Sequence, residues 1–195
     1  MDNVSLKKVT DLSSSVGAVE CSSPVMNGDF ETGNFVGWFI RGTGEGGKLQ
    51  MIEDSGGWVV RHEGRPTSGS ARWHGIMQKL PMECFPTSSE WIITARFRIY
   101  DESGIAVTCD KSDNQSNTAC PTFNFMADGV VSSGPLTNSD PGDAILGAWN
   151  YIKNTFTVPA NMNSGAYRDM WIFINSVPMG WIYEIDDIVM VPADN

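Results

Sequence analysis

Two acidic stretches near opposite ends of the chain carry the side chains best suited to chemistry. The first is NGDFETG, residues 27–33, and the second is YEIDDIVMV, residues 183–191. Carboxylates beside apolar strand residues are either solvated at strand ends or gathered around a cation. Asp186 and Asp187 are adjacent, and successive side chains of a strand point to opposite faces of its sheet. They therefore do not form the pair of carboxylates, about 5–10 Å apart, that a glycosidase requires.

Other catalytic patterns are missing from the sequence. There is no Gly-x-Ser-x-Gly nucleophile turn. The two histidines, His62 and His74, lack the spacing of a zinc site or of a catalytic triad. We therefore expect a protein that is not an enzyme and has no catalytic residues. A small polysaccharide lyase or hydrolase remains an alternative, because a fold does not by itself fix a function.

The four cysteines indicate two disulfides and an extracellular setting. None of them has the C-x-x-C spacing of a zinc or redox site, and four cysteines allow three connectivities. The long polar loop DKSDNQSNTA favours Cys109–Cys120, where a crosslink would add roughly 2–3 kcal/mol, and this leaves Cys21–Cys84 as the second pair. Disulfides persist in oxidising compartments. The alternative is four reduced thiols in a cytosolic protein.

Aromatic residues are the other candidates for function, since the chain has seven tryptophans. A flat indole stacks on the apolar C–H face of a sugar ring while nearby polar groups bond its hydroxyls. Trp91 is in phase with the apolar face of an alternating strand, so we expect it in the core. The remaining candidates for sugar binding combine an aromatic ring with a polar neighbour, and they are Trp73, Trp58, Trp171, Arg72, His74, Arg61 and Asn175.

Composition and periodicity predict the elements that would position these residues. A net charge of −10 argues against a nucleic-acid partner, and the chain lacks a run of 18 apolar residues that would span a membrane. Short alternating segments, of which EWIITARFRIYD at 90–101 is the clearest, are separated by Gly, Pro, Asn and Ser every 10–15 residues. This pattern predicts an all-β antiparallel sandwich or jelly roll over residues 20–195, preceded at 1–19 by a polar tail or loosely docked strand.

The order of several segments resembles that of carbohydrate-binding modules of the CBM4/9/22 type, a galactose-binding-domain-like jelly roll. The matching segments are NGDFETGNFVGW at 27–38, SGSARWHGIMQKL at 68–80, EWIITARFRI at 90–99, AWNYIKNTFTVP at 148–159 and IYEIDDIVMV at 182–191. Together they span almost the whole chain. The loop at 109–122 is longer than the family pattern, and Trp91 stands where the family usually has tyrosine.

The resemblance implies a structural calcium between the first and last strands. Calcium takes six to eight oxygen ligands, from carboxylates and carbonyls. The implied ligands are the side chains of Glu31 and Asp186, with carbonyl oxygens from Asp29 and Ser68. The same resemblance implies that Trp38 and Trp149 pack in the core and that Trp73 stacks on sugar.

The resemblance further implies a non-catalytic module that binds a polysaccharide, such as a β-glucan or xylan, through surface aromatics. Such a module would be a monomer within a larger secreted or cell-surface protein, without nucleic-acid or membrane partners. The main alternative is a structural or adhesive extracellular sandwich domain that binds protein and uses its aromatics only for packing.

Overall fold

A computed structural model describes residues 21–41, 47–63, 75–112, 119–127, 130–131, 143–160, 169–175 and 177–193. Ten strands run through this part of the chain. They are β1 (Trp38–Arg41), β2 (Lys48–Asp54), β3 (Gly57–Glu63), β4 (Gly75–Leu80), β5 (Glu90–Tyr100), β6 (Thr122–Ala127), β7 (Val130–Val131), β8 (Asn150–Thr157), β9 (Met170–Asn175) and β10 (Ile182–Pro192). The proposed tail at 1–19 and the boundary at residue 20 lie outside the described residues.

The strands form two five-stranded antiparallel sheets, which confirms the predicted β-sandwich. Sheet A has the order β1-β4-β9-β6-β7, and sheet B has the order β2-β3-β10-β5-β8. All the strand pairs are antiparallel. Apart from the β2–β3 and β6–β7 hairpins, neighbouring strands come from distant parts of the sequence, so each face combines residues that are far apart along the chain.

Strand β5 shows how the sequence places the core. Its buried residues alternate with half-buried ones, and Trp91, Ala95 and Phe97 face inward, as the period of two predicts. Ile172 of β9 and Phe125 of β6 lie in the same core from sheet A. Burial of such side chains is the main stabilising term, at about 25 cal/mol per Å² of apolar surface.

The opening acidic stretch anchors the sandwich through its apolar residue and its glycine. Phe30 is fully buried, and its ring lies 5.7 Å from that of Trp38, whose indole nitrogen donates to the carbonyl of Met26 at 3.0 Å. The Gly28 carbonyl accepts a hydrogen bond from the Ile188 amide at 2.9 Å. A Cβ at Gly28 would lie only 2.0 Å from the Ile188 carbonyl oxygen, so this close approach requires glycine.

Both expected disulfides are present. Cys21 is bonded to Cys84, with 63 residues of sequence separation, and Cys109 is bonded to Cys120, with a separation of 11. The first fastens the segment before the opening stretch to the turn that precedes β5. The second closes the polar loop between β5 and β6.

Trp149 departs from the expected core packing. Trp149 immediately precedes β8, whose first residue, Asn150, is buried, so the alternation turns the indole to the outer face of sheet B. There it is half-buried, with the guanidinium carbons of Arg98 and Arg96 at 4.2 and 4.7 Å from its ring centroid. Trp38 and Trp91 are buried in the core as expected.

Candidate functional site

The outward side of sheet A carries a cluster of aromatic and polar residues. Its members alternate with core residues along β1, β4, β6 and β9, and together we call them the sheet A face: Phe39, Arg41, Met77, Lys79, Asn124, Met126, Trp171 and Phe173. Strand register arranges most of them in two rows. One row runs Phe39–Met77–Phe173–Asn124 and the next runs Lys79–Trp171–Met126.

Two aromatic rings lie in the accessible part of the sheet A face. Phe39 is 42% exposed, and its ring meets that of Trp171 edge-on, with centroids 5.5 Å apart and planes at 89°. The Lys79 ammonium lies 5.8 Å from the Trp171 ring centroid. This geometry presents apolar ring surface beside hydrogen-bond donors, which is the combination that a sugar ring requires.

Polar groups are set among these rings. The Arg41 guanidinium lies over the Phe173 ring, 3.8 Å from its centroid, and Nη2 is 3.6 Å from the sulfur of Met126. Burial lowers the pKa of Arg41 from its ordinary value, but a guanidinium remains protonated at neutral pH. Phe173 is only 1% exposed and Asn124 is also buried, although neither lies in the core between the sheets. This part of the sheet A face is therefore closed to solvent, and its most exposed members are Phe39 and Lys79.

The sequence-predicted sugar-binding residues are distributed over both sheets. Trp171 and Asn175 lie in β9 of sheet A, and Asn175 is paired with Thr122 of β6. Arg72, Trp73 and His74 lie outside the described residues, so their predicted role is untested. Phe39 and Lys79 were not predicted from the sequence. The strand alternation could have indicated them, because each is next to a buried residue, Trp38 or Leu80, and so faces outward.

Trp58 and Arg61 are not brought to the sheet A face. Both belong to β3 of sheet B. The Trp58 indole lies against Gly33, where a Cβ would be 3.4 Å from Nε1. Arg61 is on the outer side of sheet B, where it pairs with Glu184 at 3.3 Å. Since the sheet assignment of β3 depends on its long-range partner β10, local sequence did not reveal this separation.

The outer side of sheet B is organised around the nearly buried carboxylate of Glu184, which is 3% exposed. Its oxygens accept from Arg61 at 3.3 Å, from Arg98 at 2.6 and 2.9 Å, and from the Tyr100 hydroxyl at 3.0 Å. Burial and the neighbouring Glu184 raise the pKa of Tyr100. Arg98 also reaches Asp54 at 3.3 Å. These mutual contacts indicate a structural network across four strands.

The carboxylates of Asp29, Glu31 and Asp186, three of the expected calcium ligands, accept hydrogen bonds from protein groups. Glu31 accepts from the Trp58 amide at 3.3 Å, and the Asp29 carboxylate accepts from the Glu31 amide at 3.4 Å. Asp186 pairs with Arg96 and accepts from the Asp187 amide at 2.7 Å. Burial raises the pKa of Asp186, although Arg96 opposes this shift.

Arg96 and the Asp187 amide bond different oxygens of Asp186, so each oxygen keeps a lone pair that a calcium ion could use. Across the described ranges there is no group of three or more His, Cys, Asp or Glu side chains that could hold a metal, and Ser68 lies outside them. These carboxylates are oxygen ligands of the kind that calcium prefers. The calcium site remains a prediction.

Among the described residues, no helix is long and apolar enough to cross a membrane.

Comparison with known proteins gave no matching family model and no matching curated protein sequence. Comparison with solved structures gave clear matches. The CBM22-1 xylan-binding domain of Paenibacillus barcinonensis Xyn10C has a TM-score of 0.58 at 14% identity, covering 84% of this chain and 90% of that one.

The protein has the fold of carbohydrate-binding modules of the CBM4/9/22 type. The C-terminal family 22 module of Clostridium thermocellum Xyn10B matches with a TM-score of 0.57 at 14% identity, over 87% of this chain and 98% of that one. A structure described as "CBM4 structure and function" matches with a TM-score of 0.53 at 15% identity, over 86% and 99%. A further match, to the CBM22-1-GH10 modules of C. thermocellum Xyn10B, includes a xylanase and was complexed with xylohexaose.

Proposed function

We propose that this protein is a non-catalytic module that binds a polysaccharide on the sheet A face. The observation that carries the proposal is the packed pair of Phe39 and Trp171, which presents aromatic surface next to Arg41, Lys79 and Asn124. Fold similarity to xylan-binding modules supports the same ligand class. Xylan and β-glucan are accordingly the first candidates.

Binding would follow from the chemistry of the two sides of a sugar ring. The apolar C–H surface of the sugar would stack on Phe39 and Trp171, while the exposed ammonium of Lys79 would bond its hydroxyls. No bond is made or broken in this process, so the surface needs only to be rigid and complementary. The predicted contributions of Arg72, Trp73, His74 and Asn175 belong to this proposal, whereas Trp58 and Arg61 lie on the other sheet.

Matched alanine variants test this site. Phe39→Ala and Trp171→Ala should each weaken binding to xylan or β-glucan about tenfold, in calorimetry or affinity electrophoresis, since buried aromatic anchors dominate binding energies. Tyr151→Ala is the control, because Tyr151 is equally aromatic, is 68% exposed, and lies in β8 of sheet B. Full binding by the two sheet A variants, or loss of binding only in the control, would contradict the proposed site.

An adhesive role that binds protein is the second candidate. The observation that favours it is an apolar tip formed by Ile105, Ile145 and Leu146, all at least 60% exposed. The two loops meet there, since a Cβ at Gly147 would lie 3.6 Å from that of Ala106. Failure to bind xylan, β-glucans and mannans, together with unchanged tryptophan fluorescence, would favour this second role.

The setting of the protein is part of the proposal. Two disulfides favour an oxidising, extracellular location. Modules of this fold occur within larger enzymes, as in C. thermocellum Xyn10B, so we propose that this one is a monomeric part of a larger secreted or cell-surface protein. A structural calcium at Glu31 and Asp186 is a separate proposal, which binding experiments do not address.

A further inference from the structure

Charge is distributed unequally between the two sheets. The chain has a net charge of −10, yet the described strands of sheet A contain two basic residues, Arg41 and Lys79, and no acidic one. The strands of sheet B contain the acidic residues Glu53, Asp54, Glu63, Glu90, Glu184, Asp186 and Asp187 and the basic residues Lys48, Arg61, Arg96, Arg98 and Lys153. The sheet A face is therefore a locally positive surface on an acidic protein.

Both cations of the sheet A face lie over aromatic rings. Arg41 lies over Phe173, and Lys79 lies over Trp171, two residues earlier in the same strand. Two residues of a strand span roughly 7 Å. A sugar stacked on this surface would thus have a cation within reach of its substituents at either end.

Lys79 has a carboxylate partner that a ligand could replace. Its ammonium pairs with Asp169, the residue just before β9. The two side chains are 54% and 37% exposed, and an exposed pair of this kind contributes little because water and salt screen it. Even with Asp169 included, Arg41 and Lys79 leave this part of the described surface with a charge of +2 − 1 = +1.

We infer that the ligand of the sheet A face is an acidic polysaccharide, one that carries carboxylate groups such as those of uronic acids. This inference rests on the proposed function, which supplies the sugar-stacking surface. A ligand carboxylate would exchange with Asp169 at Lys79, and the positive charge of Arg41 would favour it at this face. The wider negative charge of the protein would repel the same polymer elsewhere, so acidic chains would bind at this face rather than across the whole surface.

The test compares one polymer in two forms: xylan bearing uronic acid groups, and the same xylan with those carboxyls chemically reduced to alcohols. Binding should be about two- to fivefold weaker for the reduced polymer per carboxylate engaged. Raising the salt concentration from about 0.05 to about 0.5 M should weaken binding of the acidic form more than that of the reduced form, because salt screens exposed charges.

Two lysine variants test whether Lys79 causes the preference for the acidic polymer. Lys79→Gln should lower the ratio of acidic to reduced-polymer affinity, whereas Lys153→Gln, the same change on an exposed residue of sheet B, should leave that ratio unchanged. Equal affinities for the two polymers, or an identical ratio in Lys79→Gln, would overturn the inference while leaving the proposed function standing. Absence of binding to both polymers would instead overturn the proposed function, and the inference with it.

Discussion

Replacing Glu184 tests the energetic role of the network on sheet B. Glu184→Ala leaves Arg61, Arg98 and the Tyr100 hydroxyl without their shared acceptor. Removing one partner of a buried charge pair costs about 3–5 kcal/mol. Here the side chains of Arg61 and Arg98 are 28% and 18% exposed, and Arg98 keeps Asp54, so water and that second carboxylate offset part of the loss. We therefore expect the lower end, about 3 kcal/mol.

A loss of about 3 kcal/mol should lower the unfolding midpoint by about 6–12 °C for a chain of this size. Glu184→Gln keeps the shape of the side chain and removes its charge. Because the amide oxygen still accepts one hydrogen bond, this variant should lose about 1–2 kcal/mol of unfolding free energy. Urea unfolding followed by tryptophan fluorescence measures both variants. Asp169→Asn is the control, since it breaks the exposed pair with Lys79 and should change stability by less than about 0.5 kcal/mol. If Glu184→Ala unfolded within about 0.5 kcal/mol of the parent protein, the network would be shown to contribute nothing.

Three further measurements address other features. Removing the Cys21–Cys84 bond by serine substitution should cost about 4 kcal/mol in urea unfolding and removing Cys109–Cys120 about 3 kcal/mol, because the first closes the longer loop; the reverse order would contradict the chain-entropy explanation. EDTA should lower the thermal midpoint if the predicted calcium is bound, and an unchanged midpoint in calcium-loaded protein would remove that proposal. Burial raises the pKa of Tyr183 above its ordinary value of 10.0. The unfolded state therefore ionises first, and the free energy of unfolding should fall as pH rises above about 10. Tyr183→Phe should show a shallower fall, and an identical slope would refute this assignment.

Local patterns predicted the features that depend on neighbouring residues in the sequence. The alternation in β5 places Trp91 and Phe97 correctly, because a strand with one buried face has a period of two. The loop between Cys109 and Cys120 predicted that disulfide because its ends are close along the chain. The resemblance implied that the first and last strands are neighbours, but β1 and β10 belong to different sheets, and it is the turn at Gly28 that bonds to β10 at Ile188.

Features that depend on sheet assignment were not predicted. Whether Trp58 and Trp171 share a surface depends on which strands pair, and β3 and β9 belong to different sheets. Trp149 was placed in the core because the resemblance implied that this position packs there. Its stacking against Arg96 and Arg98 required knowledge that β8 pairs with β5. Arg41 and Phe173 likewise meet only because β4 lies between β1 and β9.

The ion pairs between β5 and β10 also affect the register in which these two strands pair. Glu184 lies opposite Arg98, and Asp186 lies opposite Arg96, in the same antiparallel pair. Sliding β5 by one residue would turn both guanidinium groups inward, against Tyr183 and Ile185, where their desolvation would be prohibitive. A register shifted by one residue would therefore bury two guanidinium groups without their carboxylates, so these ion pairs disfavour that shift in addition to the hydrophobic pattern.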